Sequence, residues 1–81
     1  MELKDTVEMM NSPDYKERFK AEYHQAKVRY EKLHNMIVRH EAGTLDFTLT
    51  CPINLLKSQK TAMGNYLYCL EVRAEMEGIK L

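Results

Sequence analysis

The chain has 81 residues, 12 of them basic and 12 acidic, so its formal net charge is zero. That length holds one domain at most, near the lower limit for a self-sufficient core. Charge balance argues against a protein that coats DNA or RNA polymers, which needs a basic excess to displace counterions.

No apolar run is long enough to span a bilayer, and the acidic start Met1-Glu2-Leu3-Lys4-Asp5 is unlike a signal peptide. A cytoplasmic protein is expected, without membrane contact. Cys51 and Cys69 then read as free thiols. Their spacing to each other and to His24, His34 and His40 matches no zinc signature, so no metal is expected.

In chain order, Leu3, Val7 and Met10 follow helical spacing, and residues 1–11 read as an N-terminal arm or short helix. Residues 12–81 read as a helical hairpin. Ser12-Pro13-Asp14 marks a helix start, with Ser12 as cap and Pro13 as first helical residue. From there Phe19, Tyr23, Ala26, Tyr30, Leu33, Ile37 and His40 recur at spacings of four and three, a heptad seam. Gly43 is placed to end this helix, about residues 13–41, in a left-handed turn.

The connector, about residues 42–51, contains Thr44-Leu45-Asp46-Phe47-Thr48-Leu49-Thr50, which alternates polar and apolar. Leu45, Phe47 and Leu49 would fold over the hairpin's end as a plug. Thr48 and Thr50 would face outward, beside the amides entering the next helix, where a phosphate could bind.

The second helix, about residues 52–77, starts with Pro52 just inside and ends at Gly78. Its stripe takes in Leu55 or Leu56, Gln59, Met63, Tyr66 or Leu67, Leu70, and Arg73 or Ala74. Gly64 sits mid-helix, where a glycine often admits another backbone. Val28 and Met36 lie off the first seam, and the second helix carries two apolar stripes, so one hairpin leaves apolar surface uncovered. The expected fold is all-α, an antiparallel two-helix hairpin with an N-terminal arm, assembling into a homo-oligomeric bundle.

Candidate binding groups gather along these seams. Tyr23, Tyr30 and Tyr66 offer ring faces for stacking, and Lys27, Arg29 and Arg73 offer charge for phosphate. Gln59, Thr48 and Thr50 complete the set. Catalytic patterns are missing: there is no G-x-S-x-G, glycine-rich phosphate loop or H-E-x-x-H, so no enzymatic activity and no cofactor are expected.

The runs ERFKAEYHQAKVRYEKL (17–33) and LLKSQKTAMGNYLYCLEVR (55–73) resemble a family of small phage and prophage accessory proteins, related to an open reading frame of crAss-like phages. The shared positions are Glu22, Tyr23, Arg29, Tyr30, Lys32 and Leu33, then Leu55, Gln59, Met63, Tyr66, Leu70 and Arg73. In size and hairpin form the chain is similar to phage anti-defence sponges. The resemblance implies a protein acting in the infected bacterial cell that binds a cyclic dinucleotide or related immune signal and withholds it without cleavage. An alternative from the six methionines is a protein–protein interaction module that binds a host or phage protein.

Overall fold

A computed structural model describes all 81 residues. It is all-helical and measures 43 × 24 × 17 Å. A 3-10 turn, Leu3–Thr6, leads into α1, Val7–Met10; two long helices follow, α2 (Tyr15–Ala42) and α3 (Ile53–Glu77). The hairpin and arm expected from the periodicity are present, with connector residues 43–52. Among the helical elements α2 is central: the arm and α3 each pack on α2 and not on one another.

The helix ends follow local chemistry, and the two starts differ from expectation. Asp14, not Ser12, caps α2, its carboxylate accepting from the Lys16 amide at 3.0 Å. Ser12 instead accepts from the Asp14 amide at 3.1 Å, and Pro13 lies before the cap. Pro52 is the cap of α3 rather than its first residue; its carbonyl accepts from the Leu55 and Leu56 amides. Both helices end at the expected glycines, Gly43 at φ 78° and Gly78 at φ 70°, a conformation that side-chain-bearing residues avoid.

The core forms two clusters along the α2–α3 contact. Phe19, Tyr23, Leu67, Leu70, Ala74 and Ile79 make the larger, where α2 begins and α3 finishes. Leu33, Ile37 and Leu56 make the smaller, near the connector. The α2 seam is thus the expected one up to Ile37, but His40 is exposed because the hairpin has run out beneath it. On α3 the inward residues are Leu56, Leu67, Leu70 and Ala74, while Leu55, Gln59, Tyr66 and Arg73 face away.

The connector is a series of bends rather than a strand. Leu45 and Leu49 are half-buried as a plug, but Phe47 stays 56% exposed, since a bent chain does not keep alternate residues on one side. The arm accounts for some surface that had implied a partner. Val28 shares a hollow with Met1 to Lys4 of the arm, and Met36 packs on the smaller cluster. Thr6 fastens the arm: fully buried, it donates to the Leu3 carbonyl at 2.7 Å and accepts from Gln25 Nε2 at 2.9 Å. No helix is long and apolar enough to cross a membrane.

Candidate functional site

Helices that cross at the small angle of a hairpin leave a furrow on each side of their contact. One furrow is lined by Tyr23, Lys27, Tyr30 and Glu31 from α2, and by Gly64, Leu67, Tyr68 and Glu71 from α3. This central hollow holds about 220 Å³. It continues past Tyr30 and Gly64 into a hollow of about 450 Å³ toward Lys57 and Lys60. In the other direction, past Tyr23 and Glu71, lies one of about 690 Å³ against Gly78–Leu81. The three make one open groove along the hairpin.

Gly64 shapes its middle. A Cβ there would stand 3.4 Å from Cε2 of Tyr30, so the glycine lets that ring lie against α3. What comes close is a side chain of α2, not the backbone expected from sequence. Tyr68, 65% exposed, offers a second ring one turn along α3. Tyr23 is the fixed member: its hydroxyl donates to Glu71 Oε2 at 2.5 Å. Burial, then the bond to Glu71, pushes its hydroxyl up to about pKa 12, so it stays protonated at neutral pH. Lys27 Nζ stands 5.6 Å from the Tyr23 ring centroid, a cation–π contact that holds the ammonium over the groove.

Charge varies along the groove. The largest hollow is acidic, with Glu71 and Glu75 against Lys80. At the connector end Lys57 pairs with Glu41, and that ion pair holds the Glu41 carboxyl below its ordinary range; Lys60 lies beside it. At the centre Lys27 faces Glu31 and Glu71. The rings of Tyr30 and Tyr68 and the ammonium groups of Lys27 and Lys60 thus lie along one stretch of the groove.

Of the nine residues singled out from sequence, Tyr23, Lys27 and Tyr30 come together here. Arg29 lies two residues past Lys27, about 200° round the helix, and is exposed away from the groove. Tyr66 and Gln59 sit on the opposite flank of α3, both exposed. Arg73 lies on that flank too, donating to the Tyr15 hydroxyl at 2.9 Å, pairing with Glu77 at 3.4 Å, and lying 5.0 Å from the Phe19 ring. Although partial burial opposes it, contact with Tyr15 and Glu77 raises the Arg73 pKa further. Thr48 and Thr50 are exposed on the connector.

Tyr68 and Glu71 were missed. Tyr68 falls outside the heptad stripe, but it follows Gly64 by one turn, a signal that the ring edging this gap would be Tyr68 rather than Tyr66.

No curated protein and no solved structure matches the chain. A family model described as Sequestin does match it, over residues 13–76. That span takes in nearly all of α2 and α3, the groove between them, and the connector, and leaves the arm outside. The chain is a member of the Sequestin family, whose name denotes a sequestering, binding protein.

Proposed function

We propose that this protein is a phage-encoded anti-defence factor that binds a cyclic nucleotide immune signal in the α2–α3 groove and withholds it without cleavage. Family membership supports sequestration. The observation that carries the ligand class is the conjunction of the Tyr30 and Tyr68 rings with the Lys27 ammonium around one hollow. A base stacked on tyrosine contributes about 1–3 kcal/mol, and a lysine beside it supplies charge for phosphate. Glu31 and Glu71 repel phosphate but accept from ribose hydroxyls or base N–H groups, which orients a nucleotide across the groove. Binding without chemistry agrees with the state of Tyr23, the most buried hydroxyl in the site: kept protonated and engaged with Glu71, it is a poor nucleophile.

The test is calorimetric titration with a panel of cyclic mono- and dinucleotides, followed by heating and chromatography of the released ligand. One member should bind and be recovered intact. Lys27→Ala and Tyr68→Ala, both at exposed positions, should weaken binding about tenfold each, equivalent to about 1.4 kcal/mol. Absence of binding across the panel, together with one host protein captured at equal stoichiometry, would replace this reading with the interaction-module one. Recovery of a linearised nucleotide would make the protein an enzyme.

A further inference from the structure

The face of α3 turned away from α2 carries Leu55, Ser58, Ala62, Asn65, Cys69, Val72 and Met76, all exposed. Their spacings alternate three and four, which lines them into a second heptad seam on the far side of the helix from Leu56, Leu67 and Leu70. In a chain that is 30% charged, these seven positions hold no charge over about 31 Å of helix. Met76 is 82% exposed and Leu55 58%, so the largest side chains of the seam stand open to solvent in one contiguous strip. The arm does not reach this face, since α3 packs on α2 alone among the helical elements, and all seven side chains are left open to solvent.

We propose that two copies of the chain pair through this face, α3 against α3 and antiparallel, about a two-fold axis beside residue 67. Size decides the direction. Past Leu55, the small residues Ser58 and Ala62 come first in the seam and the large ones, Val72 and Met76, come last. A parallel pair would set Ala62 against Ala62 at one end and Met76 against Met76 at the other, gapped and splayed. An antiparallel pair sets Ser58 against the second copy's Met76, Ala62 against its Val72, and Asn65 against its Cys69. Each of these layers joins a small residue to a large one, or two of middle size, and Leu55 lies at the edge of the pair, beyond the last layer.

The flanks agree with this register. On one side Arg73 meets the second copy's Gln59, and Tyr66 meets Tyr66 at the axis. On the other Glu75 meets its Thr61, and Tyr68 lies near Tyr68. No like charges face each other. Tyr66 is 44% and Tyr68 65% exposed in one chain. A whole tyrosine covers about 150–250 Å², so the two tyrosine pairs supply on the order of 300–500 Å² of the roughly 1,000 Å² a specific interface needs. Because Tyr68 also lines the groove, the two-fold sets both grooves on one face of the dimer, with the tyrosine pair between them. That last consequence rests on the sequestration reading; the pairing itself does not.

Sedimentation equilibrium without nucleotide tests it. The wild type should show twice the 9.6 kDa of one chain, and Ala62→Glu should halve the mass with its circular dichroism unchanged. A monomeric wild type at micromolar concentration, or a dimeric Ala62→Glu, overturns the proposal. Should Ala62→Glu fail to fold, cysteine pairing decides. In a Cys51→Ser, Cys69→Ser background, Ala62→Cys with Val72→Cys should oxidise to a covalent dimer, and Ala62→Cys alone should not. Equal cross-linking by the single variant would mean a parallel pair, and no cross-linking by either would mean another interface. Both results refute the antiparallel seam.

Discussion

The two ends of the hairpin are built differently. At the end where α2 begins and α3 finishes, six buried residues close on each other, and Arg73 lies over the Phe19 ring. At the connector end only Leu33, Ile37 and Leu56 are buried, and half-buried Leu49, Cys51, Ile53 and Met63 complete the packing. The groove begins against the first cluster and opens toward the second. Its fixed part, Tyr23 with Glu71, belongs to the rigid end; its cationic part, near Lys57 and Lys60, belongs to the looser one. A site laid out this way has one wall set before ligand arrives and another that can adjust to it.

The two ends differ most at Leu70, which is 1% exposed. Leu70→Ala should cost about 2–5 kcal/mol, enough to unfold much of a domain this small. Leu56→Ala should fall at the lower end of that range, because partly open packing around it can relax into the space. Urea denaturation followed by circular dichroism measures both. Amide exchange on the wild type should show slower exchange at 67–74 than at 53–60. Equal protection at the two ends would remove the distinction.

Next in size is Tyr23. Tyr23→Phe leaves the Glu71 carboxylate without its donor and should cost about 1 kcal/mol at neutral pH. Its pH dependence identifies the cause. The folded-state pKa of about 12 lies above the ordinary value of 10.0, so the folded chain holds its proton where the unfolded chain releases it. The contribution is complete below pH 10 and is lost as pH rises from 10 through about 12. Wild type and Tyr23→Phe should therefore converge in stability on the alkaline side. A constant gap across that range would mean the hydroxyl acts through packing alone.

Gly64 sharpens the contrast between stability and binding. Gly64→Ala replaces a poor helix former with the best one and sets its Cβ at ordinary contact distance from Tyr30, so the fold should gain up to about 1 kcal/mol. Gly64→Leu keeps the helix but pushes the Tyr30 ring into the groove. Thermal melting should show Gly64→Ala above wild type, while Gly64→Leu should lose nucleotide binding and stay folded. If Gly64→Leu binds as wild type does, the ligand does not use the space beside Tyr30.

The helices were legible because period and punctuation agree. Phe19 through Ile37 keep one heptad seam, and Gly43 and Gly78 close the helices where backbone geometry demands it. Ile79 was legible in principle and overlooked: an apolar residue just past a left-handed glycine commonly folds back on its helix, and here it is buried against the core of α3. The starts at Pro13 and Pro52 were misplaced by one or two residues because proline suits the cap and the residue before it as well as the first turn. Phe47 misled because alternation specifies a face only when a neighbouring strand keeps the chain extended.

The site was half legible for a different reason. Tyr23, Lys27 and Tyr30 share one side of α2 by spacing alone, and that side is the groove. On α3, spacing gave two apolar stripes about 100° apart and no means of choosing the inward one. The contact with α2 selects the stripe of Leu56, Leu67 and Leu70, and that choice carries Tyr68 and Glu71 to the groove and Tyr66, Gln59 and Arg73 to the opposite flank.

The smallest expected effect sits where the arm meets the rigid end. His24 is half-buried with its ring edge-on to Tyr23, 5.4 Å between centroids. Burial first, then Lys27, the amino terminus and Lys20, lower its pKa below the ordinary 6.5. The folded chain thus keeps His24 neutral where the unfolded chain takes up a proton, and stability should decline as pH falls below 6.5. His24→Gln should flatten that decline relative to wild type between pH 7 and 5. Acetylation of the amino terminus, which removes one of the three charges, should bring the His24 titration measured by NMR part of the way back. An unshifted titration after acetylation would place the amino terminus away from His24 in solution, and with it the arm's path along α2.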